Sequence, residues 1–253
     1  MKENFFSPIA REYARFRPKY PKELFGYLGS ISPGRSTAWD CATGSGQAAA
    51  DLAGHFQEVI ATDISEAMLG QAPPHERITY RKADATASGI ADHSIDLVTV
   101  ANAMHWFHGD AFDREVRRVL KPAGVIAAWS FAYANIDPVV DRLIRKVHNE
   151  IVDPFWIAPN RLVEHGYKDL PFNFERVDAP AFRMVGRLDL GGIEGYMRTW
   201  SASVKYHAAH GIDPVGLVHD ELLKAWGAAD TIRPVHWQLN LLVGRVAGTA
   251  EVP

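Results

Sequence analysis

The segment 37–54, TAWDCATGSGQAAADLAG, constrains the fold of this chain more than any other. An apolar stretch leads to Asp40, and Gly44 and Gly46 follow closely, so the backbone can turn tightly with its N–H groups uncovered. The next residues, Gln47–Leu52, contain no helix breaker and include three consecutive alanines, which predicts a helix. A strand, a glycine loop and a helix in this order direct free amides and the positive end of a helix dipole to one point, which suits a small polar ligand.

The glycine pattern alone leaves the nature of that ligand open. Residues 44–49, G-S-G-Q-A-A, satisfy a loose fingerprint for dinucleotides as well as one for nucleosides. The same residues also fit a tight strand-to-helix turn that binds nothing. The choice among these interpretations depends on the residues that follow the loop.

Short apolar stretches alternate with helical patterns as far as residue 130. Strands and helices are predicted in alternation, the strands at 58–63, 78–84, 94–100 and 125–130 and the helices at 65–71 and 111–120. This alternation is typical of right-handed βαβ units and predicts an α/β fold with a doubly wound, Rossmann-like, mostly parallel sheet of seven strands. In such a sheet the ligand lies beyond the carboxyl ends of the strands.

The composition excludes several classes of protein. The 253 residues carry a net charge of −3, with a pI of about 6.4, so no basic field is available for a nucleic acid. Cys41 is the single cysteine, which excludes an intrachain disulfide and a multi-cysteine zinc site. The N-terminus lacks the apolar core of a signal peptide, and no apolar run has membrane-spanning length. We expect a cytoplasmic protein with neither a nucleic acid nor a membrane partner; the sequence leaves its oligomeric state open.

Three acidic residues, Asp40, Asp63 and Asp84, follow three of the predicted strands. Asp63 comes seventeen residues after Gly46, near the place where an acid at the end of a second strand binds ribose hydroxyls. Asp84, together with Ala85, is placed to accept a hydrogen bond from an adenine amino group. Each acid alone is commonly a helix cap or a turn former, but the series behind a glycine loop predicts a nucleoside site.

Eight motifs of the chain together resemble the class I S-adenosylmethionine-dependent methyltransferases, in particular the type 11 methyltransferase domain and its group related to trans-aconitate methyltransferase. They are YARFRPKYP, WDCATGSGQAA, ATDIS, KADA, VTVANAMHWF, LKPAGVIAAW, HGYKDLPF and YMRTWSAS, which span nearly the whole chain. The first glycine of the usual D-x-G-x-G-x-G form is replaced by Ala42. We expect the turn to form nevertheless, with a narrower approach to the methionine end of the cofactor.

The resemblance implies S-adenosyl-L-methionine as the cofactor and a role for each matching residue. Gly44 and Gly46 would let the backbone lie against the cofactor, and Asp63 would hold its ribose. Asn102 and Ala103 would line the region of the sulfonium. The other residues implied in cofactor binding are Tyr13, Arg17, Asp40, Ala42, Ile64, Met68, Asp84 and Ala85.

The chain is predicted to form a single domain with three parts. Within the domain 1–253, residues 1–34 form an N-terminal arm or lid, and residues 35–132 form a cofactor-binding core. Residues 133–253 form an acceptor-site insertion and the final strands. The last part would add a mainly helical lobe to the sheet. The arm either packs on the domain or closes over the cofactor, in which case Tyr13 and Arg17 would pair the carboxylate of the cofactor.

The resemblance further implies methyl transfer to a small molecule, and O-methylation of a small carboxylic acid is favoured. A carboxylate acceptor requires no base, whereas a hydroxyl or an amine requires one, for which His105 is the candidate. The alternative for His105 is packing in an aromatic layer. The candidate acceptor pocket, whose rings could equally be plain core, consists of Trp106, Tyr133, Trp156, Tyr196 and Trp200. The H-x-x-H pairs lack a third ligand at a recognisable spacing, so no metal is predicted.

Two other functions fit parts of the pattern. An NAD-dependent oxidoreductase would share the glycine loop and Asp63, but it would not account for Asp84 or the HWF segment. A non-catalytic domain that binds the nucleoside as a regulator or scaffold would share the whole cofactor site. Binding of NADH instead of S-adenosylmethionine would indicate the first, and a blocked acceptor pocket would indicate the second.

Overall fold

The computed structural model describes residues 9–246, so the first eight residues of the predicted arm and the last seven of the chain lie outside the described part. The chain divides into two compact units. The sheet unit consists of Tyr20–Phe131, Leu162–Phe182 and the chain from Leu239 onward. The helical unit consists of residues 9–19, Ala132–Arg161 and Arg183–Gln238.

The strands form one sheet in the order β3-β2-β1-β4-β5-β8-β6, with β7 paired to β8. Their bounds are β1 Thr37–Cys41, β2 Glu58–Asp63, β3 Ile78–Lys82, β4 Ile95–Ala101, β5 Leu120–Asn135, β6 Glu175–Arg176, β7 Arg183–Leu188 and β8 Arg233–Arg245. Strands β1 to β5 pair in parallel, whereas β6 and β7 run antiparallel to β8. The predicted α/β, mostly parallel Rossmann-like fold is therefore confirmed, with eight strands within residues 9–246 instead of seven.

Strands β1 and β4 are buried on both faces, as the central strands of a parallel sheet are. In β4 the first six of seven residues are buried, and in β1 the last four of five are buried. Trp39 and Val98 pair across these two strands, and both are fully buried in the main core cluster of the sheet unit. The parallel register then brings the carboxyl ends of β1, β2 and β4 to one edge of the sheet, which is the edge where the acids were expected.

The helices cover the sheet and build most of the helical unit. Their bounds are α1 Ala10–Phe16, α2 Lys22–Ile31, α3 Gln47–Leu52, α4 Glu66–Leu69, α5 Asp110–Val119, α6 Pro138–Lys146, α7 Ala158–Glu164, α8 Leu190–Arg198, α9 Ser201–His210 and α10 His219–Trp226. Side-chain caps mark the starts of two helices, α4 and α6. Ser65 Oγ accepts a hydrogen bond from Met68 N at 3.2 Å, and Asp137 Oδ1 accepts from Val139 N at 2.7 Å. Within the described residues, no helix is both long enough and apolar enough to cross a bilayer.

The second half of the chain differs from what its sequence predicts. Ile193, Tyr196, Met197 and Trp200 recur at helical spacing and predict one helix over 192–203, but the structure has two, α8 and α9, because the backbone at Trp200 is extended, with φ of −67° and ψ of 137°. The Asp-Pro pair at 137–138 and the apolar residues after it predict a helix to about residue 152, but α6 ends at Lys146 and continues as a π-helical turn, Val147–Ile151. The stretch 153–181 is rich in proline and aromatic residues, which predicts irregular cover, but it contains the helix α7 and the short strand β6.

Candidate functional site

The glycine loop after β1 has the left-handed backbone that its sequence predicts. The φ angles of Ala42, Gly44 and Gly46 are 56°, 58° and 79°. A Cβ atom on Gly46 would lie 2.7 Å from Tyr80 Oη, and one on Gly44 would lie 3.3 Å from Met68 Cε. The left-handed backbone disfavours a side chain at both glycines, and Gly46 also lacks the space for one, so the loop presents bare backbone, as a close approach to a ligand requires.

Asp40, the last acid before the loop, is fully buried and held by two threonine hydroxyls. Thr43 Oγ1 donates to Asp40 Oδ2 at 2.5 Å, and Thr99 Oγ1 donates to Asp40 Oδ1 at 2.7 Å. Burial raises the pKa of the Asp40 carboxyl from 3.8 to about 6, although both hydroxyls oppose the shift. Asp40 thus fastens the loop to β4 and places a titratable group beneath the candidate site.

Asp63, the predicted ribose acid, lies at the end of β2 and holds two backbone amides. Gly44 N donates to Asp63 Oδ2 at 2.9 Å, and Ser65 N donates to Asp63 Oδ1 at 2.8 Å. Burial raises the pKa of Asp63, and the hydrogen bonds from the two amides oppose that shift. The acid therefore orders the glycine loop in addition to the ribose contact that the sequence predicts for it.

Asp84 and the predicted adenine-facing residues differ in their surroundings. Asp84 Oδ1 accepts from Thr86 N at 2.8 Å and from Thr86 Oγ1 at 2.7 Å, so this carboxylate also forms a turn after β3. Ala85 packs against the main core cluster. Ile64 is an apolar side chain with 46% exposure at the edge of the sheet, whereas Met68 is buried. The adenine contacts of these residues stay predictions.

Asn102, at the end of β4, combines a strained backbone with an orphaned polar atom. Its φ is 53°, in the left-handed region that asparagine tolerates better than most residues, and its N–H donates to Trp129 O at 2.7 Å. Its Oδ1 is buried and makes no hydrogen bond within residues 9–246. Ala103 beside it is buried. An unpaired carbonyl oxygen at the carboxyl end of a parallel strand favours the predicted contact with a cationic sulfonium, because buried polar groups require partners.

His105 lies in a short 3₁₀ turn, Met104–Trp106, directly after β4, and only 4% of the residue is exposed. Its Nδ1 lies 2.9 Å from Tyr167 Oη, and its ring lies 4.7 Å from that of Trp106, the one predicted acceptor-pocket residue in the sheet unit. Burial and the neighbouring His108 lower the pKa of His105 from 6.5 to about 3. These surroundings disfavour His105 as a base, because a base is most effective when its pKa lies near the working pH.

Tyr13 and Arg17, the predicted lid residues, belong to the helical unit. Arg17 Nε donates to Thr199 Oγ1 and Arg17 Nη2 donates to Thr199 O, each at 3.1 Å. The guanidinium also lies 4.5 Å from the ring centre of Tyr13 and 5.5 Å from that of Tyr196. The arm thus packs within this unit through Arg17, and the predicted contact of Tyr13 and Arg17 with the cofactor stays untested.

The remaining predicted acceptor-pocket residues, Tyr133, Trp156, Tyr196 and Trp200, also lie in the helical unit. Three of them surround the buried His148, which stands in the π-helical turn. The ring centre of His148 lies 4.8 Å from that of Tyr133, 4.5 Å from that of Trp156 and 5.3 Å from that of Trp200. Tyr196 packs edge-on against Trp200 at 5.7 Å. The structure thus brings the four together in one aromatic cluster; that they bind the acceptor stays a prediction.

Sequence reasoning missed three residues that the structure places around the predicted site. Tyr80 lies against Gly46, and its buried Oη makes no hydrogen bond in the described part of the chain. Tyr167 holds His105, and Thr99 holds Asp40. All three contacts join distant segments, so local sequence carries no signal for them. Within residues 9–246 no group of three metal-ligating side chains was found.

The glycine cradle, the acids at the ends of successive parallel strands and the orphaned Asn102 Oδ1 fit a positively charged adenine nucleoside. They define the class of α/β proteins that bind a nucleoside cofactor at the carboxyl edge of the sheet. The family described as a methyltransferase domain matches residues 39–128, which contain all of these features.

Similar proteins narrow this class. A solved structure from Anaeromyxobacter dehalogenans, assigned as a type II methyltransferase, is 37% identical, covers 92% of this chain and 99% of its own, and has a TM-score of 0.84. A Dictyostelium discoideum protein assigned as a methyltransferase is 28% identical over 229 residues, which are 89% of this chain and 87% of that protein. A Saccharomyces cerevisiae protein assigned as an S-adenosylmethionine-dependent methyltransferase is 30% identical over 128 residues, which are 47% of this chain and 44% of that protein. The chain belongs to the class I S-adenosylmethionine-dependent methyltransferases, and its cofactor is S-adenosylmethionine.

Proposed function

We propose that this methyltransferase acts on a small molecule and methylates a carboxylate oxygen. The observation that carries the choice of acceptor is the setting of His105, the candidate base after β4: the residue is buried, and its Nδ1 lies 2.9 Å from Tyr167 Oη. Its pKa of about 3 leaves it uncharged but weakly basic at neutral pH. A carboxylate acceptor brings its own negative charge and needs no base, whereas a hydroxyl or an amine must lose a proton.

The cofactor, when bound, supplies a methyl group that its sulfonium activates. The chain supplies binding and orientation. Gly44 and Gly46 would lie against the cofactor, Asp63 and Asp84 would bind its ribose and its adenine, and Asn102 Oδ1 would face its positive charge. Positioning of this kind is the main contribution that a protein can make to a displacement between two bound reactants.

Electrostatics favour a carboxylate further. A sulfonium and a carboxylate neutralise each other as the methyl group moves, and such charge cancellation is favoured where water is excluded. The motifs HGYKDLPF and YMRTWSAS support placement in the group related to trans-aconitate methyltransferase, which is consistent with a small organic acid. The aromatic cluster of Tyr133, Trp156, Tyr196 and Trp200 is the candidate binding surface for the carbon skeleton of the acceptor.

The test uses S-adenosylmethionine with a labelled methyl group and a panel of small carboxylic acids, phenols and amines. Carboxyl methyl esters release labelled methanol in mild base, whereas methyl ethers and methylamines do not, so one treatment separates the acceptor classes. We expect base-labile label with at least one acid. Label only in base-stable products would refute the carboxylate proposal while leaving methyl transfer intact.

Calorimetric titration separates the two rival functions from this one. We expect S-adenosylmethionine and S-adenosylhomocysteine to bind and NADH not to bind. Binding of NADH alone would favour the oxidoreductase. Tight binding of the two nucleosides, without transfer to any member of the panel, would favour the non-catalytic nucleoside-binding domain.

A further inference from the structure

The buried pair formed by His105 and Tyr167 joins segments 62 residues apart within the sheet unit. Tyr167 is fully buried, and its Oη lies 2.9 Å from His105 Nδ1. No hydrogen bond within residues 9–246 involves His105 Nε2. One ring nitrogen of His105 is therefore tied to a tyrosine, and the other is not engaged in the described part of the chain.

The backbone of Tyr167 is strained. Its φ is 61°, which is an outlier for a bulky residue, and Gly166 before it has a φ of 64°. Two hydrogen bonds fasten the bend to the end of α7: Gly166 N donates to Val163 O at 2.9 Å, and Tyr167 N donates to Leu162 O at 2.8 Å. A residue kept in such a conformation points to a functional constraint.

The polarity of the hydrogen bond follows from its partners. An unprotonated imidazole nitrogen is a strong acceptor, whereas the oxygen of a phenol is a weak one, so the tyrosine donates and His105 Nδ1 accepts. Because the hydrogen bond at one ring nitrogen sets the tautomer, the proton of the neutral ring then sits on Nε2. His105 thus carries a neutral N–H donor directly after β4, next to the residues that are predicted to line the sulfonium.

We propose that Tyr167 is a positioning residue that holds His105 as the Nε2–H tautomer, and that His105 Nε2 donates a hydrogen bond to the carboxylate of the acceptor. The first half of this statement, the tautomer of His105, concerns the free protein alone. The second half, the hydrogen bond to the acceptor, rests on the proposed function. In this role His105 orients the acceptor and removes no proton. The donor stays neutral, so it contributes no charge that would repel the cationic cofactor.

The direct test of the first half is nuclear magnetic resonance of the full chain labelled with ¹⁵N-histidine. The eleven histidines are distinguished by comparison with His105→Gln. We expect the ¹⁵N shift of a protonated nitrogen at His105 Nε2 and that of an unprotonated, hydrogen-bonded nitrogen at Nδ1, constant between about pH 5 and pH 8. In Tyr167→Phe the Nδ1 signal should move, because its hydrogen bond is lost. A proton on Nδ1 in the unchanged protein, or identical spectra in the variant, would overturn the proposal.

Kinetics with the best carboxylate of the acceptor panel test the second half. Tyr167→Phe and His105→Phe, whose ring lacks an N–H donor, should each raise the KM for the acceptor about tenfold or more, with a smaller effect on kcat and no change in the Kd of S-adenosylmethionine. Tyr27→Phe is the control, since Tyr27 Oη also donates a hydrogen bond, to Asp178 O at 3.0 Å in the same unit.

A failure of the proposed function can be distinguished from a failure of the inference about His105 and Tyr167. If no carboxylate is methylated, the proposed function fails, while the spectrum still decides whether Tyr167 fixes the tautomer of His105. If a carboxylate is methylated and His105→Phe leaves its KM unchanged, the donor role of His105 is wrong. An altered Kd for the cofactor would show instead that the tyrosine acts on the cofactor site.

Discussion

Asp63 bridges the glycine loop and the next helix, because its carboxylate accepts from Gly44 N at 2.9 Å and from Ser65 N at 2.8 Å. Gly44 belongs to the loop after β1, and Ser65 caps α4. The acid predicted to bind ribose therefore also determines the position of the loop against which the cofactor would lie. Its loss should change cofactor affinity and protein stability together.

We expect Asp63→Ala to lower the affinity for S-adenosylmethionine at least about tenfold and to lower the free energy of unfolding by about 1.5–3 kcal/mol, because hydrogen bonds to a charged group are lost. Calorimetry and urea denaturation measure the two effects. Asp63→Asn, which keeps the shape and one acceptor oxygen, should fall between the alanine variant and the unchanged protein. An unchanged dissociation constant in Asp63→Ala would refute the ribose assignment.

A pH-dependent contribution to stability is expected from Asp40. Its pKa is about 6 in the folded protein and 3.8 without the fold, so the folded state binds more protons between these values. The free energy of unfolding should therefore fall as the pH rises through this window, by about 3 kcal/mol for this group alone.

Asp40→Asn isolates that contribution, since it cannot titrate. The difference in unfolding free energy between the unchanged protein and Asp40→Asn should shift by about 2.5 kcal/mol in favour of the variant from pH 4 to pH 7, since pH 4 lies just above the unfolded pKa of 3.8. His105, whose pKa is lowered to about 3, raises the free energy of unfolding as the pH rises. This contribution is the same in both proteins, so it cancels in the difference. A flat difference curve from urea denaturation would contradict the burial effect on Asp40.

Exchanging alanine and glycine in the loop should have opposite effects at two positions. Ala42 has a φ of 56°, and this left-handed backbone costs a residue with a Cβ atom about 1 kcal/mol. Ala42→Gly should therefore raise the free energy of unfolding by up to that amount. Gly46→Ala should destabilise, because its Cβ atom would lie 2.7 Å from Tyr80 Oη. Urea denaturation and cofactor titration measure both variants; equal effects of the two would contradict this account of the loop.

The loop and the strand ends were predictable because their signals are local. The strand before the loop, the helix Gln47–Leu52 and the helix that starts at Ser65 depend on neighbouring residues, whose spacing and type the sequence displays directly. Asp63 was recognised for the same reason. Its second task, holding Gly44 N, depends on a tertiary contact 19 residues apart, which no local pattern encodes.

The role of Tyr167 also depends on a tertiary contact that local sequence does not encode. The segment HGYKDLPF was identified by resemblance, yet nothing in it predicts a left-handed tyrosine or a hydrogen bond to a histidine 62 residues earlier. The low pKa of His105 follows from burial, which the sequence around HWF does not reveal. Candidate bases can thus be selected from sequence, but their protonation depends on packing that the structure alone supplies.

The arm helix α1 packs on α8 through a glycine. A Cβ atom on Gly195 would lie 2.5 Å from the Phe16 ring, whereas one on Gly191 in the same helix would meet nothing closer than 3.7 Å. Gly195→Ala should therefore lower the free energy of unfolding by about 1–3 kcal/mol through overpacking. Gly191→Ala, the matched control, should leave it unchanged or raise it by up to about 1 kcal/mol, since alanine favours helix.

A double-mutant cycle decides whether the Phe16 contact causes the loss. If it does, Gly195→Ala should cost little in a Phe16→Ala background, because the ring that collides with the new methyl group is absent, and the two changes should couple by about 1 kcal/mol or more. Additive effects would mean that α1 and α8 do not meet at this glycine. Limited proteolysis within residues 9–19 provides an independent readout, since displacement of α1 by Gly195→Ala should expose its backbone to cleavage, and Gly191→Ala should not.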